Sequence, residues 1–237
     1  MNRNTIKLIA IAAMTIDHIA FMFVAPGSAL YFAMRLIGRL TAPIMSFMLA
    51  EGFRYTRSRP KYLLRLSAFA LISQPFYFRM LFDRAPVSLL EYITHWNVMF
   101  TLAVALLSLM LLESKLPQIP RLILMGVCIS FALFGDWSYL IPAWTIIFFC
   151  YYKRDNRKMI VLYSLASVML QTLLYLNGFD SFSFFSFQYG TLLALAPISI
   201  YNGERGNVRH NNLNGWFFYV FYPAHLVVLL VIQACVK

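Results

Sequence analysis

Apolar runs of bilayer length recur along the whole chain, and no soluble-looking block separates them. A helix needs about 20 consecutive apolar residues to cross the hydrocarbon of a bilayer. Nine runs meet or approach that length: residues 5–24, 30–50, 62–82, 96–113, 119–135, 138–152, 159–176, 188–202 and 215–235. The sixth and eighth are short enough to be tilted or re-entrant, and a range of 8–10 spans fits the same pattern. The runs are continuous where a transmembrane β-barrel would alternate apolar and polar residues. The 237 residues are 61% hydrophobic and 12% charged, whereas soluble globular chains carry about 25% charged residues. The expected fold is all-α: a polytopic membrane bundle of about nine helices, with residues 1–237 forming one domain.

The net charge of +11 reports topology, not nucleic-acid binding. Its basic residues gather in the short gaps between runs, as the positive-inside rule requires of cytoplasmic loops. With the N-terminus inside, the inner gaps hold Arg54, Arg57, Arg59 and Lys61, then Lys115 and Arg121, then Lys153, Arg154, Arg157 and Lys158, then Arg205 and Arg209. The outer gaps hold little beyond Arg79 and Arg84. That pattern predicts a multi-pass protein of a cytoplasmic membrane, with an odd span count leaving Lys237 outside. A cleaved signal peptide over residues 1–25 is not expected, because Asp-His stands where small residues would mark a cleavage site. Cys128, Cys150 and Cys235 lie scattered in apolar segments without metal-ligand spacing, and read as buried small hydrophobes.

The first run, TIKLIAIAAMTIDHIAFMFV, holds Asp17 and His18 where lipid-compatible residues should be. A charged group near a helix centre costs about 2.5–3.5 kcal/mol on insertion scales, so such groups are functional by default. Lys7 and His18 are eleven residues apart, which returns them to nearly the same helix face about 16 Å along the axis. Asp17 faces about 100° away, so it is poorly placed to orient His18. The link through Pro26 and Gly27 is short, which makes the first two helices antiparallel neighbours. Counted inward from the outer surface, Asp17 and His18 lie about 9–11 Å deep, Arg35 about 7 Å and Arg39 about 13 Å. The arginines share a face at i, i+4 and bracket Asp17, which predicts an Asp17 pairing with Arg35 or Arg39. Pro43 has no N–H for the Arg39 carbonyl and predicts a bend there.

Other polar groups continue along the chain. In HWNVMFT, Asn97 and Thr101 share a face at the outer mouth of the fourth run, and SQP sets Gln74 beside Pro75. Asp136 ends the fifth run, Glu51 closes the second, and FYPAHL places Tyr222 and His225 around Pro223. Interhelical hydrogen bonding is the plainer reading of Gln74, Asn97 and Thr101, with a role in the site as the alternative. For His225 packing is an equal alternative to a role in binding, and charge balance with Arg54 and Arg57 is the plainer reading of Glu51. FDSFSFFSFQ (179–188) reads as an interfacial aromatic belt, with a docking lip for an apolar acceptor as the minority reading.

KLIAIAAMTIDHI, RLIGRLTAPIMSFMLAEGF, NVMFTL and FFYVFYPAHLVVL together resemble the TraX family, over essentially the whole chain. Lys7-x10-His18 also resembles the Arg/Lys-x10-His signature of the wider transmembrane acyltransferases, the acyltransferase-3 group. The resemblance implies an acetyltransferase with acetyl-CoA as cosubstrate and no bound cofactor, working in a bacterial cytoplasmic membrane, in a family whose named member acts on a conjugation pilin. The acceptor would be an amine or hydroxyl at the outer face: a pilin-like peptide N-terminus, a lipid or a glycan.

The expected catalytic residues are His18 as general base, Asp17 and Arg39. Lys7, Arg35, Asn97, Thr101, Tyr222 and His225 are the expected substrate-binding residues, with Arg35 or Arg39 and Asn97 facing the oxyanion. The Lys7–His18 row is comparable in length to a pantetheine arm. An acyl-histidine intermediate is an open alternative. The rival class is a proton-coupled transporter using Asp17, His18 and Arg39, although no repeated halves with broken helices are evident. A non-catalytic scaffold is the third reading, and acyl-CoA binding separates the first from both others.

Overall fold

The computed structural model describes residues 1–82, 88–176, 187–204 and 211–236. They form α1 (Arg3–Phe23), α2 (Ala29–Gly38), α3 (Thr41–Tyr55), α4 (Arg59–Phe82), α5 (Leu89–Thr94), α6 (Val98–Leu112), α7 (Gln118–Phe131), α8 (Leu140–Tyr151), α9 (Asn156–Leu176), α10 (Leu195–Ser199) and α11 (Asn211–Val236). Short 3-10 turns cover Ala132–Phe134 and Tyr189–Ala194. Among the described residues there is no strand, only one isolated bridge between Trp96 and Gly135.

By length and composition, three helices can cross a membrane: Arg3–Phe23, Ala29–Tyr55 taken through its bend, and Trp216–Val236. Val98–Leu112, Gln118–Phe134, Leu140–Tyr151 and Tyr189–Ser199 are apolar but shorter. These apolar helices fit a membrane protein. The eighth expected run is not one continuous α-helix: it opens as a 3-10 turn and continues as the five-residue α10. Close packing at Gly190, described below, and Pro197 within α10 explain the interruption.

The residues divide into two compact units. The first joins Met1–Met48 to Ile147–Asn207. Asn2 caps α1 by accepting from the Thr5 N–H, and Ser28 caps α2 by accepting from the Tyr31 N–H. Between the two helices Gly27 takes φ +86°, a left-handed conformation open to glycine, and α1 and α2 pack as the expected antiparallel pair. The bend falls at Arg39–Leu40, four residues before Pro43, where α2 ends and α3 begins. Deeper in this unit Phe47 meets Phe148, Tyr152 and Tyr201 edge-on at 5.5, 4.7 and 5.4 Å. Phe148 stacks on Tyr163.

The second unit joins Leu49–Ile146 to Val208–Lys237. Here α4 packs against α6 and α11, and α6 packs against α7. Apart from the exposed Leu107, most of the apolar α6 is buried, from Leu102 and Leu106 to Leu109, as expected of a helix with no polar face. Of the cysteines, Cys128 is buried as expected, whereas Cys235 is exposed.

Candidate functional site

Asp17 lies on the buried stripe of α1, with Ile6, Ala10, Ala13 and Ala20. Its two carboxylate oxygens are held separately. Arg35 Nη1 donates to Oδ2 at 2.7 Å, and Arg39 Nη2 donates to Oδ1 at 2.6 Å. Both expected partners are therefore engaged at once. The three residues are 8%, 7% and 4% exposed, a level of burial at which an unpaired charge would be untenable.

Close approach makes this geometry possible. A Cβ on Gly38 would lie 2.2 Å from Asp17 Oδ1, so no larger residue fits there without moving the carboxylate. A Cβ on Gly190 would lie 2.2 Å from the Leu36 carbonyl oxygen and 3.0 Å from Arg39 Cβ. That second glycine brings the Tyr189–Ala194 turn against α2.

Two guanidinium groups face one carboxylate, and aromatic faces supply much of the remaining environment. Arg35 lies 5.2, 5.7 and 5.8 Å from the ring centroids of Phe187, Phe21 and Tyr31, and Arg39 lies 5.4 Å from Phe187. Such contacts contribute about 0.5–2 kcal/mol each, more when water is excluded. Gln188 Oε1 accepts a long 3.5 Å hydrogen bond from Arg39 Nη1. Phe187 and Gln188 are the residues that the sequence reading missed. They end the segment expected to be an aromatic belt, yet both are buried; its other members, 179–186, lie outside the described residues.

Lys7 and His18 are half-buried on an unbroken α1, so their register holds. The row between them is not an open groove, because Ile11 and Met14 are 8% and 7% exposed. An extended arm lying along this face would have to displace both side chains.

The remaining expected site residues belong to the other unit, where each has its own set of partners. Asn97 caps α6: its Oδ1 accepts from the Met99 N–H, and its amide nitrogen donates to the Ala70 carbonyl at 2.7 Å and to Gln74 Oε1 at 2.8 Å. Both amide hydrogens are thus engaged, and the oxyanion role expected of Asn97 gives way to a structural one. Gln74 completes the clamp by donating to the His95 carbonyl and accepting from the Asn97 N–H. Thr101 donates to the Asp136 carbonyl at 2.7 Å, beside Gly135, where a Cβ would lie 2.3 Å from Thr101 Oγ1. His225 Nδ1 lies 3.0 Å from the Phe221 carbonyl, with its ring stacked on Phe221. The Tyr222 ring is buried beside His225.

Apolar helices enclosing a buried arginine–aspartate–arginine cluster place this chain in the class of helical membrane proteins with a polar site inside an apolar body. The model of the TraX protein family matches residues 2–233, and the chain belongs to that family. It is 37% identical over 231 residues to the probable fimbrial assembly protein FimC, serogroup H1, of Dichelobacter nodosus, covering 94% of this chain and 92% of that one. No solved structure matches the chain.

Proposed function

We propose that this protein is a multi-pass acyltransferase of the bacterial cytoplasmic membrane, with its N-terminus inside. It moves an acetyl group from cytoplasmic acetyl-CoA to an acceptor at the outer face. The observation that carries this reading is the division of roles on α1: Asp17 is engaged through both oxygens by Arg35 and Arg39, and His18 is the adjacent titratable side chain. Family membership supports the reading, and the fimbrial name of the Dichelobacter nodosus relative favours the N-terminal amine of a pilin-like subunit as acceptor.

In this mechanism the neutral amine nitrogen attacks the thioester carbonyl. His18 takes the proton that the nitrogen loses as the C–N bond forms. Negative charge gathers on the carbonyl oxygen, where the Arg35–Arg39 pair, one positive charge in excess of Asp17, stabilises it. Collapse of the tetrahedral intermediate breaks the C–S bond, and the proton on His18 passes to the departing CoA sulfur. Asp17 acts by position, fixing the two guanidinium planes. A proton relay, by contrast, would require Asp17 to exchange partners readily, which the double arginine clamp opposes.

The test uses the full chain purified in detergent, with labelled acetyl-CoA and a pilin N-terminal peptide. His18→Ala and His18→Gln should bind acetyl-CoA like wild type and lose about 10²–10⁴-fold in transfer rate, the usual contribution of a general base. A well-folded His18→Ala protein with undiminished transfer would refute the assignment.

A further inference from the structure

A second polar feature lies at the start of α4, within the second unit. Thr56, Arg57, Ser58, Lys61, Leu64, Arg65 and Trp216 line a cavity of about 480 Å³, well within the ~300–1,000 Å³ of small-ligand sites. Three of its residues are cations and none is acidic. Among the described residues, Arg57, Lys61 and Arg65 form no ion pair. Arg59, in the same stretch, differs: it pairs with Glu113 and lies 4.2 Å over the Phe53 ring.

Local structure concentrates this charge. Lys61 and Arg65 are i, i+4 on one face of the 24-residue α4. The first turn of that helix caps itself, with Pro60 lacking an N–H and the Lys61 and Tyr62 N–H groups donating to Ser58, so an anion here would rest on the side chains. Arg65 is held at about 5.8–5.9 Å from the Tyr62, Trp216 and Tyr219 ring centroids, and its Nε is buried without a hydrogen-bond acceptor. Trp216 is half-exposed and adds a flat apolar wall to the cavity. Several cations and an indole face together suit a phosphorylated ligand that also carries an aromatic ring.

We propose that this cavity binds the adenosine 3′,5′-bisphosphate end of coenzyme A, with phosphates on Arg57, Lys61 and Arg65 and adenine against Trp216. The assignment rests on the acyltransferase reading. It also gives the basic loop at 54–61, expected on the cytoplasmic side, a role beyond topology.

The experiment measures binding of adenosine 3′,5′-bisphosphate by titration calorimetry on the full chain in phosphatidylcholine nanodiscs. Wild type should bind, with affinity falling as salt rises. Arg57→Gln/Lys61→Gln should bind roughly tenfold more weakly or worse, as loss of charge-assisted hydrogen bonds predicts. Trp216→Leu should weaken binding of the bisphosphate more than that of inorganic phosphate. In transfer assays the double variant should raise the KM for acetyl-CoA by a similar factor. Equal bisphosphate affinity and equal KM in wild type and double variant would overturn the pocket assignment while leaving the acyltransferase intact. Loss of bisphosphate binding when phosphatidylglycerol is added to the discs would mean that the cavity holds a lipid headgroup, and would also overturn it. Wild type that neither binds nor turns over acetyl-CoA would remove both readings together.

Discussion

At Asp17 one carboxylate serves two guanidinium groups, each bonded to a different oxygen. Removing one member leaves a buried charge uncompensated, at a cost of about 3–5 kcal/mol, whereas replacing a whole buried ion cluster with apolar groups of similar volume is often neutral for stability. That contrast separates a structural role from a catalytic one. Asp17→Asn should unfold at clearly lower temperature than wild type. The triple replacement Asp17→Leu, Arg35→Met, Arg39→Met should recover most of that loss while acetyl transfer stays below detection. Thermal unfolding by intrinsic fluorescence, measured beside transfer, checks both, and transfer retained by the triple variant would make the cluster a packing device. Gln188 and Phe187 show where reading by residue stops. The pairing of Asp17 with the arginines follows from depth counting through one short turn. Phe187 and Gln188 reach the same arginines from far along the chain, and their Ser- and Phe-rich context reads as membrane-interface composition.

At the scale of elements, the start of α6 depends on a polar clamp. Asn97 and Gln74 satisfy each other, the Ala70 and His95 carbonyls and the first turn of α6. Asn97→Ala removes a cap and leaves buried groups unpaired, so a loss of about 2–3 kcal/mol is expected. Because the two side chains share bonds, the Asn97→Ala/Gln74→Leu double variant should be less destabilised than the sum of the single changes. Additive losses in chemical unfolding would show that the two residues act independently. The sequence places both residues correctly on the α4 and α6 segments but leaves open whether they bind substrate or hold helices together. That choice depends on which hydrogens are already taken, and spacing does not encode it. The eighth run shows the complementary limit: its composition is that of a span, and close approach at Gly190 determines its shape.

For the molecule as a whole, the basic gaps predict which loops face the cytoplasm. In a variant with Cys128, Cys150 and Cys235 replaced, single cysteines at Lys115 and Arg154 should react with an impermeant maleimide only after the membrane is opened. A cysteine at the exposed Leu89 should react in intact cells. The reverse pattern would invert the protein and move the acetyl-CoA side with it. The division of the chain into two units has a further consequence, for synthesis. Asp17 and Arg39 are separated by 22 residues, but Gln188 follows Arg39 by 149. At ~5–20 residues per second, a ribosome needs about 7–30 s to bridge that interval. Throughout it the two arginines have Asp17 as partner but not yet Phe187 or Gln188, so α1 and α2 are best delivered to the lipid together, as a hairpin carrying its own counter-ion.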